Sequence, residues 1–214
     1  PRCRNYEVTT ASLFSDLAAF GSGGCHWEQP LEAMYRALTL AENDRFLRPE
    51  SLLVLVFLTD EDDCSTGEAN NLFNPANDDL GSALGPATSF RCFEHGVACD
   101  PDVRLYYGKR VNCIPRGNDT KRKLYRISRY TNELIWREDR VNKDPGQVLV
   151  AVLAGPVVAD EVWVGPDHLG RPKLLASCGT EDGSAVPAVR LRSFAAHFGD
   201  AWTLKQYGAT SVCA

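Results

Sequence analysis

The sequence predicts an α/β fold built on a parallel sheet, and three observations carry that expectation. Two uninterrupted apolar runs, LLVLVFL at residues 52–58 and VLVAVLAGP at 148–156, have the length and composition of strands buried on both faces. Around them lie segments with apolar residues at 3- and 4-residue spacing, the mark of helices with one buried face. The resulting order of helix, helix, strand, insertion, helix, strand, helix belongs to parallel strands joined through helices.

The elements follow in chain order. Residues 12–20, SLFSDLAAF, place Leu13, Leu17 and Phe20 on one face and stop at the glycine-rich GSGG. A stronger helix is predicted over 28–42, where Leu31, Met34, Leu38 and Ala41 share a face. Pro30 falls in its first turn, where a missing N–H costs little. The first strand is predicted over 52–59. Residues 64–120 then lose periodicity and carry Gly, Pro, Asn and Asp throughout, with four of the eight cysteines. A structureless stretch of that length is unusual in a compact domain unless it is stapled or functional. The expected organisation is therefore an α/β domain of residues 1–63 and 121–214, with a cystine-rich insertion at 64–120. A helix over 123–140 turns Leu124, Ile127, Tyr130, Leu134 and Ile135 inward. EVWV at 161–164 reads as a short strand at a loop or edge. The last helix, 186–198, buries Val189, Phe194 and Phe198, and TLKQY at 203–207 is a short final strand.

Composition narrows the function classes. Of the 214 residues 44% are hydrophobic and 24% charged, as in an ordinary water-soluble domain. A formal net charge of -5 argues against a dedicated nucleic-acid binder. The arginines of 123–140 alternate with Glu133, Glu138 and Asp139, as on a solvated helix face. No apolar run approaches the roughly 20 residues a bilayer-spanning helix needs. Nothing near Pro1 resembles a signal peptide, and a chain that opens on proline is expected to be processed or incompletely represented.

The cysteines are Cys3, Cys25, Cys64, Cys92, Cys99, Cys113, Cys178 and Cys213. An even number, spread over the chain with no CxxC pair, suits disulfides in an oxidising compartment. At least two bridges are expected among Cys64, Cys92, Cys99 and Cys113, and a further one between Cys178 and Cys213. The competing assignment is a zinc site made of Cys92, His95, Cys99 and Cys113, whose C-x2-H-x3-C spacing is not a common zinc pattern.

The first strand runs directly into four adjacent carboxylates, DEDD at 60–63. In open α/β sheets ligands gather just beyond the carboxyl ends of strands. Asp60, Asp62 and Asp63 are therefore candidate ligands for a hard cation, Mg²⁺ or Ca²⁺, with Glu28, Asp78 or Asp79 as further oxygen donors. The alternative is a solvated acidic loop in which Asp60 or Asp62 caps a turn or helix.

GGCHWEQPLEAM followed by LLVLVFLTDEDD resembles the von Willebrand factor type A domain, in which a glycine loop leads to a helix and then to a hydrophobic strand ending in Thr-Asp. Within that family the chain is most similar to exported, often lipid-anchored bacterial proteins, which RCFEHGVACD and VLVAVLAGP also resemble. The resemblance implies a doubly wound, mostly parallel sheet flanked by helices. It further implies a divalent cation held by an Asp-x-Ser-x-Ser loop, a threonine of the glycine loop and an aspartate after the fourth strand. Asp60 matches that last aspartate, Cys25 stands where the threonine belongs, and the chain has no Asp-x-Ser-x-Ser. On this likeness the first strands of the fold are missing. A strand from upstream of Pro1 or from another chain is then expected beside residues 52–58.

Two functional readings follow. The first is a secreted or cell-surface module, at a bacterial outer membrane or outside the cell, for adhesion or scaffolding. It would bind a protein partner or neighbouring subunit with possible help from a cation, catalyse nothing, and carry no transmembrane segment, a lipid anchor upstream of Pro1 being allowed. The second is a carboxylate-dependent phosphatase-like hydrolase. DEDDC resembles the Asp-x-Asp loop of haloacid-dehalogenase-type phosphatases, with Asp60 as nucleophile and Asp62 as general acid.

Overall fold

A computed structural model describes residues 7–19, 23–24, 27–43, 46–48, 50–135, 145–181 and 183–198. The fold is mixed α/β, and the described residues form one small parallel sheet and two antiparallel ones. Strand β1 (Leu53–Leu58) pairs in parallel with β4 (Val148–Leu153), Leu53 opposite Val148 through Leu58 opposite Leu153. These are the two apolar runs, and they are neighbours as expected.

Their burial departs from expectation. β1 alternates strictly, with Leu53, Leu55 and Phe57 inward and Val54, Val56 and Leu58 outward. Helices α2 (Pro30–Thr39), α4 (Ile127–Ile135) and α5 (Val189–Ala196) supply the residues that cover the inner face. Leu31, Leu38, Tyr130, Leu191 and Phe194 close a core over Leu55, Phe57, Val150 and Val152, with Phe57 and Phe194 edge to face at 5.7 Å. Among the described residues the outer face of β1 has no such cover, and β1 pairs with β4 alone.

The region from 64 to 120 is more ordered than its sequence suggests. It contains α3 (Phe90–Gly96), β2 (Val97–Asp100) and β3 (Gly108–Pro115). β3 continues into a sheet of order β2-β3-β5-β6 with β5 (Val162–Pro166) and β6 (Pro172–Leu174). The EVWV segment therefore contributes to a strand inside a sheet, not an edge. Strands from both sides of the expected 120/121 boundary share this sheet. Its core of Phe90, Phe93, Val97, Val162 and Val164 also takes Val189 from α5, which joins it to the α/β part. Periodicity missed these strands because they are short and interrupted by a bulge between Ala98 and Asp100. A two-residue ladder, β7 (Cys178–Gly179) with β8 (Ser184–Ala185), completes the sheets.

Two disulfides, Cys64–Cys92 and Cys99–Cys113, pair the four cysteines of this region. They displace the zinc assignment, and His95 turns its ring nitrogens to the carbonyl oxygens of Lys121 and Leu84 at 3.0 and 3.3 Å. Cys178 is also disulfide-bonded. Its expected partner Cys213, together with Cys3, Cys25, Phe20 and the TLKQY segment, lies outside the described residues. The first helix, α1 (Thr10–Ala18), leaves Leu17 59% exposed, although its spacing had assigned that side chain to an inner face. Gly155, just beyond β4, admits no side chain, since a Cβ there would lie 1.9 Å from the Val186 carbonyl oxygen. This close approach lets Gly155 bridge Pro187 and set the start of α5 against the end of β4.

Candidate functional site

α2 and α5 both begin beside the carboxyl end of β1, where Asp62, Asp63 and Ser65 meet their first N–H groups. The first N–H groups of any helix lack intrahelical partners, and the helix dipole makes that end positive. Neither helix carries its own cap. Gln29 and Ala188 stand at the two N-cap positions, and neither makes a side-chain capping bond. The run from Asp62 to Ser65 supplies what they lack.

For α2 the accounting is complete. Pro30 has no N–H to satisfy. Leu31 N–H donates to Asp63 Oδ1 at 3.1 Å, and Glu32 N–H donates to Ser65 Oγ at 2.9 Å. Ala33 N–H then opens the helical ladder on the Gln29 carbonyl. For α5, Arg190 N–H lies 2.9 and 3.1 Å from the two oxygens of Asp62, and Leu191 N–H donates to Asp62 Oδ1 at 3.1 Å. Asp63 is also an ion-pair partner. Its Oδ2 accepts from Arg190 Nε at 3.1 Å and Nη2 at 2.9 Å, both side chains being about 99% buried. Ser65 adds two further donors, through its hydroxyl to Oδ1 and its amide to Oδ2. Arg190 Nη2 also reaches the Tyr125 carbonyl at 2.8 Å, which ties in the segment before α4.

This arrangement does not fit a cation held by Asp60, Asp62 and Asp63. Asp62 and Asp63 spend their oxygens on six backbone or guanidinium N–H groups and on Ser65, and a cation would have to replace all of these. Asp60 lies apart with an exposed side chain, and its carbonyl accepts from Val186 N–H at 2.9 Å. Among the described residues no group of three or more His, Cys, Asp or Glu converges as metal ligands. Of the further donors considered, Glu28 accepts from the Thr59 hydroxyl at 2.5 Å, and Asp78 accepts from Ala87 N–H. The alternative expectation, a carboxylate acting as a helix cap, is the arrangement found for Asp62. The Asp60 and Asp62 pair needed for phosphatase chemistry is likewise divided, one free in solvent and one locked to α5.

Whereas Asp60 is exposed, Glu61, passed over among the sequence candidates, is partly buried. It lines a cleft of about 280 Å³ beyond the end of β1, with Asp62, Ser89, Phe93, Lys173 and Leu174. Ser89, which lines the same cleft, is the N-cap residue of α3 and makes no capping bond. Burial pushes the Glu61 carboxyl up to about 7, and the nearby charges of Glu28 and Asp60 add to the rise. Asp62 is raised to about 6, again mainly by burial, with its bonds to Arg190 opposing.

Both shifts are upward, so folding favours the protonated form of each group. Their contribution to stability is full below about pH 4 and is lost as pH rises through about 6 for Asp62 and about 7 for Glu61. Discounted for solvent at the cleft mouth, Glu61 is expected to account for on the order of 2 kcal/mol between pH 4.5 and 7. Urea unfolding at pH 5.0 and 7.5 checks this. The wild-type protein should be more stable at the lower pH, and Glu61→Gln should remove most of the difference. A slope left unchanged by Glu61→Gln rules out this assignment.

No protein-family model, curated protein or solved structure matches the chain.

Proposed function

We propose that the chain is a binding or scaffolding module of the extracellular or cell-surface space, built on the doubly wound type A plan, which engages a protein partner through the open side of β1. One observation carries this reading. Leu52, Val54, Val56 and Leu58 are each more than half exposed, in line on a strand whose outer edge is unpaired among the described residues. Their counterparts on β4, Leu149, Ala151 and Leu153, are only partly exposed, so the opening lies on the β1 side. A strand apolar on both faces is suited to cover on both, and its free N–H and C=O groups form a template for another strand. Strand addition of this kind takes affinity from main-chain bonds and specificity from alternate side chains.

The parallel β1–β4 pair, with α2 before it and α5 after, supports the type A plan. The disulfides suit an oxidising environment. No helix among the described residues is long and apolar enough to cross a membrane.

The test is the double variant Val54→Lys/Val56→Glu. At an open face these changes should alter stability by less than about 1 kcal/mol. They should also abolish the binding of an apolar dye and the concentration-dependent association expected of the wild-type protein by sedimentation. If the variant unfolds instead, the face is buried within the chain and the reading falls.

A further inference from the structure

The cleft beyond β1 is a second surface, independent of the open strand, and its chemistry differs. Its walls come from three places far apart in sequence. Glu61 and Asp62 follow β1, Ser89 and Phe93 belong to the start of α3, and Lys173 and Leu174 lie on β6. It therefore sits where the end of the parallel pair meets the antiparallel sheet, the position at which α/β sheets usually hold ligands. Its volume of about 280 Å³ suits a small group or one side chain, near the lower end for ligand pockets.

The charges within it are divided. Asp62 is committed to the α5 backbone. Glu61 shares the cleft lining with Ser89, and among the described residues it belongs to no ion pair. The charges that bear on it, Glu28 and Asp60, are of its own sign. Among the described residues Lys173 is the one cation of the lining, and it forms no ion pair with Glu61. A carboxylate backed by like charges and flanked by apolar side chains is costly without a counter-ion. A bound cation would relieve both the desolvation and the repulsion.

We propose that this cleft binds a primary ammonium group carried on an apolar body, with Glu61 as its counter-ion, Ser89 as a further polar group of the wall, and Phe93 and Leu174 packing the body. The same chemistry is offered by a free amine and by a lysine side chain of a partner protein.

The experiment is amide NMR titration of the intact chain at pH 8, where Glu61 is ionised. The probes are 2-phenylethylammonium, its neutral counterpart 2-phenylethanol, and a blocked peptide whose one charged residue is lysine. The amine should shift the amides of Glu61, Ser89 and Leu174 and leave those of residues 53–58 in place. The alcohol should bind at least tenfold more weakly. Glu61→Gln should weaken the amine at least tenfold while keeping its fold, since it removes a buried charge. Binding of the peptide as well as the amine assigns the site to a partner's lysine, and binding of the amine alone assigns it to a small ligand. Equal binding of amine and alcohol, or amine binding untouched by Glu61→Gln, overturns the proposal, as does the failure of both cationic probes. These readouts lie away from β1, so a negative result here is distinguishable from failure of the strand-addition reading.

Discussion

Replacing Asp63 with alanine is expected to cost about 3 to 5 kcal/mol, the range for breaking one side of a buried ion pair. The substitution leaves Arg190, about 99% buried, without its carboxylate. It also frees the Leu31 N–H at the start of α2 and both donors of Ser65. Unsatisfied buried groups lose their full solvation, so these losses exceed the net worth of the bonds themselves. Urea unfolding monitored by circular dichroism measures the change. The double variant Asp63→Leu/Arg190→Met should recover much of the loss, because removing both charges leaves no orphan. The outcome also separates a structural carboxylate from a cation ligand. As a structural group Asp63 gives the same loss with chelator or with added Mg²⁺ or Ca²⁺. A loss confined to cation-containing buffer would reject this account.

Opening both described disulfides is expected to have the largest effect of all. Cys64 and Cys92 are separated by 28 positions, Cys99 and Cys113 by 14. Chain-entropy estimates for such loops are about 3.5 and about 3 kcal/mol. Their sum, about 6.5 kcal/mol, is comparable to the whole stability of many domains. The first bridge ties the acidic run to α3 and so holds the cleft together, and the second closes β2 on β3. All four sulfur-bearing residues are buried, which should make reduction slow without denaturant. Cys99→Ser/Cys113→Ser is expected to lose the antiparallel sheet first, seen as exchange of the β2 and β3 amides. Loss of Cys64–Cys92 should instead disturb Ser89 and Glu61. Equal, global unfolding in both variants would show that the two parts do not respond separately.

Much of this architecture was legible in the chain. The two apolar runs became paired strands because seven or so consecutive Leu, Val and Phe residues have few other stable destinations. α2 and α5 kept their inward residues Leu31, Leu38, Val189 and Phe194, since the helical period sets which side chains share a face. That the four central cysteines bridge among themselves was expected because so long an aperiodic stretch has to be stapled, while which pairs with which was not legible in the sequence. The short strands from 97 to 115 did not stand out, because four to eight residues with a bulge carry little periodic signal.

What the sequence alone left undecided was the use of its strangest feature. DEDD reads as a cation site, a phosphatase loop or a set of caps, because each needs carboxylates at a strand end. One local clue was available: α2 and α5 open with Gln29 and Ala188, neither a good cap, so each needed a donor's partner from elsewhere. That partner lies up to 129 positions away, and only the packed fold brings Asp62 to the start of α5 and Asp63 to that of α2. Helices antiparallel to the strands begin where the strands end, so two positive helix ends meet at one place and are neutralised by the carboxylates arriving there. The open face of β1 is the other decision of the tertiary structure. A strand apolar on both sides records that both sides suit burial, but the identity of what covers each side depends on neighbours, and those are set by the fold.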